Sequence, residues 1–203
     1  MTTHNFTFKE IFSSAWGLTK KNAWYLLCVL LAGAIIMGAV DHIKVLGAIV
    51  GLFLGVAVIT VSLIIVEGKT PTFSDLFSSF KSYTIIWKYL LASVLYGIII
   101  FVGLLLLIIP GVYLAVRLQF YKFLIIENEN IKVMDSLTQS MNMSRGHFWK
   151  LFGFIVTLLV VNTIAAIPFG LGLIVTVPVS VLASTILYKK LLPHAHTHAH
   201  VQA

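Results

Sequence analysis

Arg117 is the residue whose chemistry is hardest to reconcile with its surroundings. It follows Pro110-Gly111 by six or seven residues inside the apolar stretch LLLLIIPGVYLAVRLQFYKFLII. That spacing puts it about 10 Å along a helix from the break. An arginine at depth in a bilayer costs about 2.5–3.5 kcal/mol, so it marks a functional site by default. The plainer account is a long side chain snorkelling to the headgroups. Asn162 precedes Pro168 by six residues and is expected at similar depth, and Asp41 is the acid expected at the same end. An intramembrane polar cluster of Arg117, Asp41 and Asn162 would bind an anionic ligand or tie neighbouring segments together.

Three other patterns could carry chemistry. Gly47, Gly51 and Gly55 recur every four residues and let another helix approach closely, within one bundle or between copies. His194, His196, His198 and His200 alternate with Ala and Thr near the C-terminus; imidazoles ligate zinc, nickel and copper, but a His-rich tail after Pro193 is also a plain unstructured end. Cys28 lies in an apolar run and is most simply a small buried filler. Gly-rich phosphate loops, Gly-x-Ser-x-Gly and His-Glu-x-x-His are absent, and most of the few acids sit at helix caps or interface ends. No catalytic residues and no cofactor are expected, so the chain reads as a non-enzyme.

The elements that must position these residues are membrane spans. Apolar residues make up 59% of the 203-residue chain and charged residues 10%, and mean hydropathy is +1.00. A bilayer core of about 30 Å needs about 20 apolar residues in a helix. Six runs approach that length: 23–40, 45–66, 85–109, 111–126, 148–167 and 170–188. They pair into three hairpins with breaks at 41–44, Pro110-Gly111 and Pro168-Phe169-Gly170. A single kinked helix over 84–126 would be about 65 Å long, twice the core, so a hairpin is expected there. A retained first span, rather than a cleaved signal, is expected after Lys20 and Lys21.

Twelve of the fourteen Lys and Arg residues fall on one side of these spans: Lys9, Lys20, Lys21, Lys69, Lys81, Lys88, Lys122, Lys132, Arg145, Lys150, Lys189 and Lys190. The positive-inside rule then predicts both termini in the cytoplasm, with three short hairpin tips outside. The net charge of +7 suits topology and anionic lipid rather than nucleic acid. Membrane lipids are the expected partners, and a second copy or another membrane protein is compatible with the glycine ridge.

A short amphipathic segment precedes each hairpin: TFKEIFSSAW from Thr7, TFSDLFSSF from Thr72 and KVMDSLTQSM from Lys132. Phe8, Ile11, Phe12, Ala15 and Trp16 form one helical stripe, and Phe73, Leu76, Phe77 and Phe80 repeat it. Thr7 with Glu10 and Thr72 with Asp75 fit a capping box; Asp135 keeps the acid but has Lys132 as its predecessor, with Asn130 the alternative cap. Trp24, Trp87 and Trp149 then open the apolar runs at headgroup level. The reading is an all-α integral membrane protein of three pseudo-repeated units, 1–66, 67–127 and 128–190, each an interfacial helix plus a hairpin, followed by a His-rich tail over 191–203.

The stretch LLLLIIPGVYLAVRLQFYKFLIIENENIKVMDSLTQSMNMSRGHFWKLFGF resembles an uncharacterised family of bacterial multi-pass inner-membrane proteins related to the membrane domain found beside glycerophosphoryl diester phosphodiesterases. The resemblance rests on Ile109-Pro110-Gly111, Arg117, Glu127, Ser140, Arg145-Gly146 and Trp149, and covers residues 100–155. It implies an all-helical inner-membrane fold. It does not imply phosphodiesterase activity, since no soluble phosphodiesterase domain accompanies it. The expected function is binding or handling of a lipid or small amphiphile, or support of a membrane assembly. The alternative is a transporter or channel built on the Arg117 cluster.

Overall fold

In a computed structural model, residues 7–40, 44–76, 82–106, 108–167 and 172–199 are described. They form nine α-helices in the order α1 (Phe8–Lys21), α2 (Ala23–Val40), α3 (Lys44–Val66), α4 (Tyr83–Leu106), α5 (Ile108–Leu118), α6 (Tyr121–Glu127), α7 (Val133–Met143), α8 (Phe148–Ala166) and α9 (Leu173–Ala199). No strand occurs among the described residues. Five stretches are long and apolar enough to cross a membrane: Gly47–Val66, Tyr83–Leu105, Ile108–Glu127, Phe148–Ala166 and Leu173–Leu192. The bent pair α1–α2 raises the number to as many as six. The chain is a multi-pass membrane protein. Asp41, residues 168–170, Phe77, Phe80 and His200 lie outside the described residues, as do the side chains of His194, His196 and His198.

The amphipathic first segment folds as expected of its stripe. Ile11 and Ala15 are fully buried, Phe8 and Phe12 pack on Phe154 of α8, and the chain turns 85° from α1 into α2 at Asn22, whose amide donates to the Leu18 carbonyl at 3.0 Å. Only half of the capping box forms: Glu10 accepts from the Thr7 backbone N–H, while the Thr7 hydroxyl makes no cap hydrogen bond. The second copy behaves alike, with the Thr72 N–H donating to Asp75 at 2.7 Å, and residues 73–76 form a single 3₁₀ turn. In the third copy Lys132, not Asn130, is the N-cap of α7 and caps without a side-chain bond. The Asn130 N–H instead donates to Asn128 Oδ1 at 3.1 Å, an Asx turn that competes with capping.

The 84–126 stretch reverses as a hairpin, but ahead of Pro110-Gly111: α4 ends at Leu106, and both residues lie inside α5, which begins at Ile108. Contacts between Ser93 and Tyr121 (3.1 Å) and between Lys88 and the Glu129 carbonyl (2.5 Å) fix an antiparallel register for α4 against α5 and α6. Pro110 sits in the first turn of α5, where its missing N–H costs nothing. The glycines make the close approach: a Cβ on Gly111 would lie 2.7 Å from the Leu104 side chain and 2.8 Å from its backbone nitrogen, and one on Gly103 would lie 2.9 Å from the Gly111 Cα. At the far end of the chain, α9 runs through Pro193 to Ala199, where an unstructured tail was expected. A proline removes one helical hydrogen bond and bends the helix without requiring it to stop.

Packing is uneven along the bundle. At the end carrying Glu67, Glu127 and Lys189, core residues of α3, α4, α6, α7 and α9 such as Val56, Ala92, Ile125, Leu137 and Leu187 are buried. At the hairpin end, Ile35, Leu105 and Ile167 are 72%, 76% and 77% exposed, as suits side chains facing acyl chains. The charged end is closed by Lys189, which pairs with Glu67 (2.9 Å) and Glu127 (2.7 Å), and by Lys190, which pairs with Glu10 (2.5 Å). The Lys189 hydrogen bond holds the Glu67 carboxyl below its usual range, and Lys190 does the same for Glu10.

Arg117 belongs to this packing. Between α5 and α6 the helix is interrupted at residues 119–120, and the freed backbone groups are met by α7. Ser140 and Ser144 both donate to the Arg117 carbonyl at 3.0 Å, and the Phe120 N–H donates to Ser140 Oγ at 3.1 Å. The Arg117 guanidinium donates to the Met141 carbonyl at 2.7 Å and to Tyr113 Oη at 2.6 Å. Met141 lies in the last turn of α7, where carbonyls lack helical partners and a cation offsets the macrodipole.

Two outcomes follow from these contacts. Gly111→Ala should lower stability in detergent by about 1–3 kcal/mol through overpacking against backbone. Gly97→Ala, whose Cβ would meet nothing within 4 Å, should be neutral or stabilising by up to about 1 kcal/mol; equal losses would refute the close-approach account. Arg117→Met should cost about 1–3 kcal/mol by leaving the Met141 carbonyl unpaired. Arg117→Lys should restore only part of the loss, because one ammonium cannot reach both acceptors with the guanidinium's fork. Thermal unfolding in detergent reads both series, and an Arg117→Met protein as stable as wild type would exclude the clamp.

Candidate functional site

Helix α6 is buried on most sides, through Tyr121, Phe123, Leu124, Ile125 and Ile126. Its exceptions are the terminal Glu127, which is exposed, and Lys122. With Gln119 and Phe123 it faces a cleft of about 500 Å³ bounded also by Leu54, Gly55 and Val58 of α3, Tyr89 of α4, and Ser180 and Ser184 of α9. Clefts of roughly 300–1,000 Å³ are the size that holds small ligands. Lys122 lies five residues from Glu127, about 8 Å along the helix from the charged end. It is half-buried.

The electrostatics of this cleft are one-sided. Of the seven acidic residues in the chain, Asp41 lies outside the described residues and none of the others lines the cleft. Glu10, Glu67 and Glu127 are engaged by Lys189 and Lys190. Among the described residues the Lys122 ammonium has no ion-pair or hydrogen-bond partner, and neither has the Tyr89 hydroxyl. The Tyr89 oxygen sits against α3, 3.0 Å from where a Gly55 Cβ would stand, so Gly55 makes room for it. Gln119 spends one amide N–H on the Val116 carbonyl at 2.9 Å and keeps the other. Unanswered donors from α4 and α6 on the walls of one cleft suit an anion, because a cation drawn partly out of water is costly until paired.

Arg117 and Asn162, expected in one cluster with Asp41, hydrogen-bond to different partners. Arg117 reaches Tyr113 and Met141. Asn162 donates to the Leu158 carbonyl and to Ser180 Oγ, both at 2.8 Å, and its Oδ1 is buried without a partner among the described residues. Asp41 lies outside them. Through Ser180, Asn162 is connected to the wall of the Lys122 cleft rather than to Arg117. The glycines of α3 likewise part: Gly51 faces Met37 of α2, and Gly55 faces Tyr89 of α4. Among the described residues no group of three or more His, Cys, Asp and Glu is placed to hold a metal ion.

Lys122 escapes a sequence reading that counts basic residues for topology, since it adjoins a polar connection and is counted with it. A signal was available. Gln119 with Lys122 at i, i+3 and Ser180 with Ser184 at i, i+4 are polar pairs on helical faces of otherwise apolar runs. Such residues inside spans favour the bundle interior.

Residues 98–195 match the family described as a protein of unknown function, DUF975. The match covers Arg117, Lys122, Asn162, Ser180 and Ser184, and leaves out α1–α3. No curated protein and no solved structure gives a match. The chain is thus similar, over its second half, to a family whose activity is not assigned.

Proposed function

We propose that this is a non-enzymatic protein of a bacterial inner membrane that binds or handles a lipid or small amphiphile. The observation that carries the reading is the Lys122 cleft: a cation and a hydroxyl without described partners, set in apolar walls between spans. An amphiphile supplies both the anion and the apolar surface such a site needs. Support for the rival reading, a transporter or channel using Arg117, is weaker, because the guanidinium is engaged by Tyr113 and the end of α7. The resemblance to the membrane domain beside glycerophosphoryl diester phosphodiesterases enters as a likeness of fold. The three amphipathic segments, each ahead of a hairpin, support a pseudo-three-fold repeat.

The same reading has six spans with both termini in the cytoplasm, supported by the one-sided basic residues and the ion pairs gathered at one end of the bundle. His42→Cys should be labelled from outside by an impermeant thiol reagent in a Cys28→Ser background, and Thr70→Cys should not; the reverse pattern overturns the orientation.

Native mass spectrometry of the purified full chain should show co-purifying lipid or amphiphile at a stoichiometry near one. A protein that retains none, after extraction in a mild detergent and in nanodiscs alike, would not support lipid handling.

A further inference from the structure

A second cleft, of about 620 Å³, lies between α2 and α3 and is lined by Val29, Gly33, Met37, Val50 and Phe53 among others, all of them apolar. It shares Leu54 and Val58 with the Lys122 cleft. The two voids therefore meet across one pair of aliphatic side chains on α3, one void with cationic and hydroxyl donors, the other without a polar side chain. Leu76 from the second amphipathic segment lines the apolar one, and that segment is held on α2 by the Tyr25 hydroxyl, which donates to the Thr72 carbonyl at 3.1 Å.

From this juxtaposition we infer that the two clefts form one site for a single-chain anionic amphiphile, with its head on Lys122 and Tyr89 and its tail between α2 and α3. The inference rests on the lipid-handling reading and specifies it. One ammonium balances one anionic head, a carboxylate or a phosphate, and the Tyr89 hydroxyl and the free Gln119 N–H complete its hydrogen bonds. The tail side offers room for an acyl chain and no polar group to be desolvated, so a chain enters it from the bilayer without a desolvation cost and is held by packing contacts. Carboxylate and phosphate heads share this chemistry, and either source fits the donors.

The test uses the full chain in phosphatidylcholine nanodiscs and a hexadecanoate carrying a photoreactive diazirine near its methyl end. Labelled peptides should map to α2 and α3. Unlabelled hexadecanoate and hexadecyl phosphate should compete, their order telling which head is preferred, whereas acetate and inorganic phosphate should compete only at concentrations far higher. Lys122→Gln should reduce labelling roughly tenfold or more, Lys122→Arg should stay within about threefold, and Tyr89→Phe should lose about threefold. Gly33→Phe, which fills the apolar cleft, should abolish α2–α3 labelling. If Lys122→Gln fails to fold, Lys122→Arg and Tyr89→Phe decide the head and Gly33→Phe the tail. Equal labelling of wild type, Tyr89→Phe and Gly33→Phe would overturn the inference, as would acetate competing as well as hexadecanoate. Lipid retained in native mass spectrometry without α2–α3 labelling sinks this site and leaves the wider reading standing; neither retained lipid nor labelling removes both.

Discussion

Every polar group inside an apolar bundle must be answered from within, because hydrocarbon offers no hydrogen bonds. The rest of this structure follows from where that demand is met. The interruption at residues 119–120 frees the Arg117 carbonyl and the Phe120 N–H, and Ser140 and Ser144 of α7 answer them. The guanidinium, pointing the other way along the same junction, answers the end of α7. An expensive residue and a broken helix thus solve each other's problem. The result holds α7 against α5 and α6, with Ser136, Leu137 and Ser140 of its inner face buried.

The same constraint explains why order is concentrated at one end. Ion pairs of Lys189 and Lys190 tie the last helix to Glu10, Glu67 and Glu127, and the aromatic stack of Phe123 on Tyr188 at 5.0 Å continues into the core beneath them. Each exposed pair is worth little alone. Together with the Tyr188 hydroxyl, which donates to Glu127 at 2.5 Å, they close a well-packed layer. Away from it the hairpins part and present Leu, Ile and Val outward, which in lipid carries no penalty, because tails are as apolar as the side chains.

Against that background the Lys122 cleft stands out. Arg117 is costly and answered at both terminal nitrogens, with only its Nε buried without a described partner, and Glu67 and Glu127 are answered by Lys189. Lys122 and Tyr89 have donors and no described acceptor, and the space in front of them is lined by α3, α4, α6 and α9. Four helices from three hairpins meet there, so a ligand in that position would couple the packing of all three. This is the physical basis on which binding, rather than chemistry, is the function proposed.

Composition and periodicity by themselves determined the class of the protein. A chain with runs of about 20 apolar residues has few options but helices across a bilayer, and the stripe of Phe8, Ile11 and Ala15 requires a helix lying on its face. Hairpin over kink was also legible for 84–126, from length alone. The tertiary structure decided what local rules leave open. Pro110-Gly111, expected at the reversal, lies inside α5, where Gly111 packs against Gly103 of α4 and lets two backbones touch. Arg117 found its partner on α7, a helix that sequence spacing placed at the membrane surface. Lys122, one basic residue among many in the sequence, became the unanswered charge of a cleft. Partners such as these are set by which helices cross, and crossing depends on the shape of whole faces in three dimensions, which no period of 3.6 residues encodes.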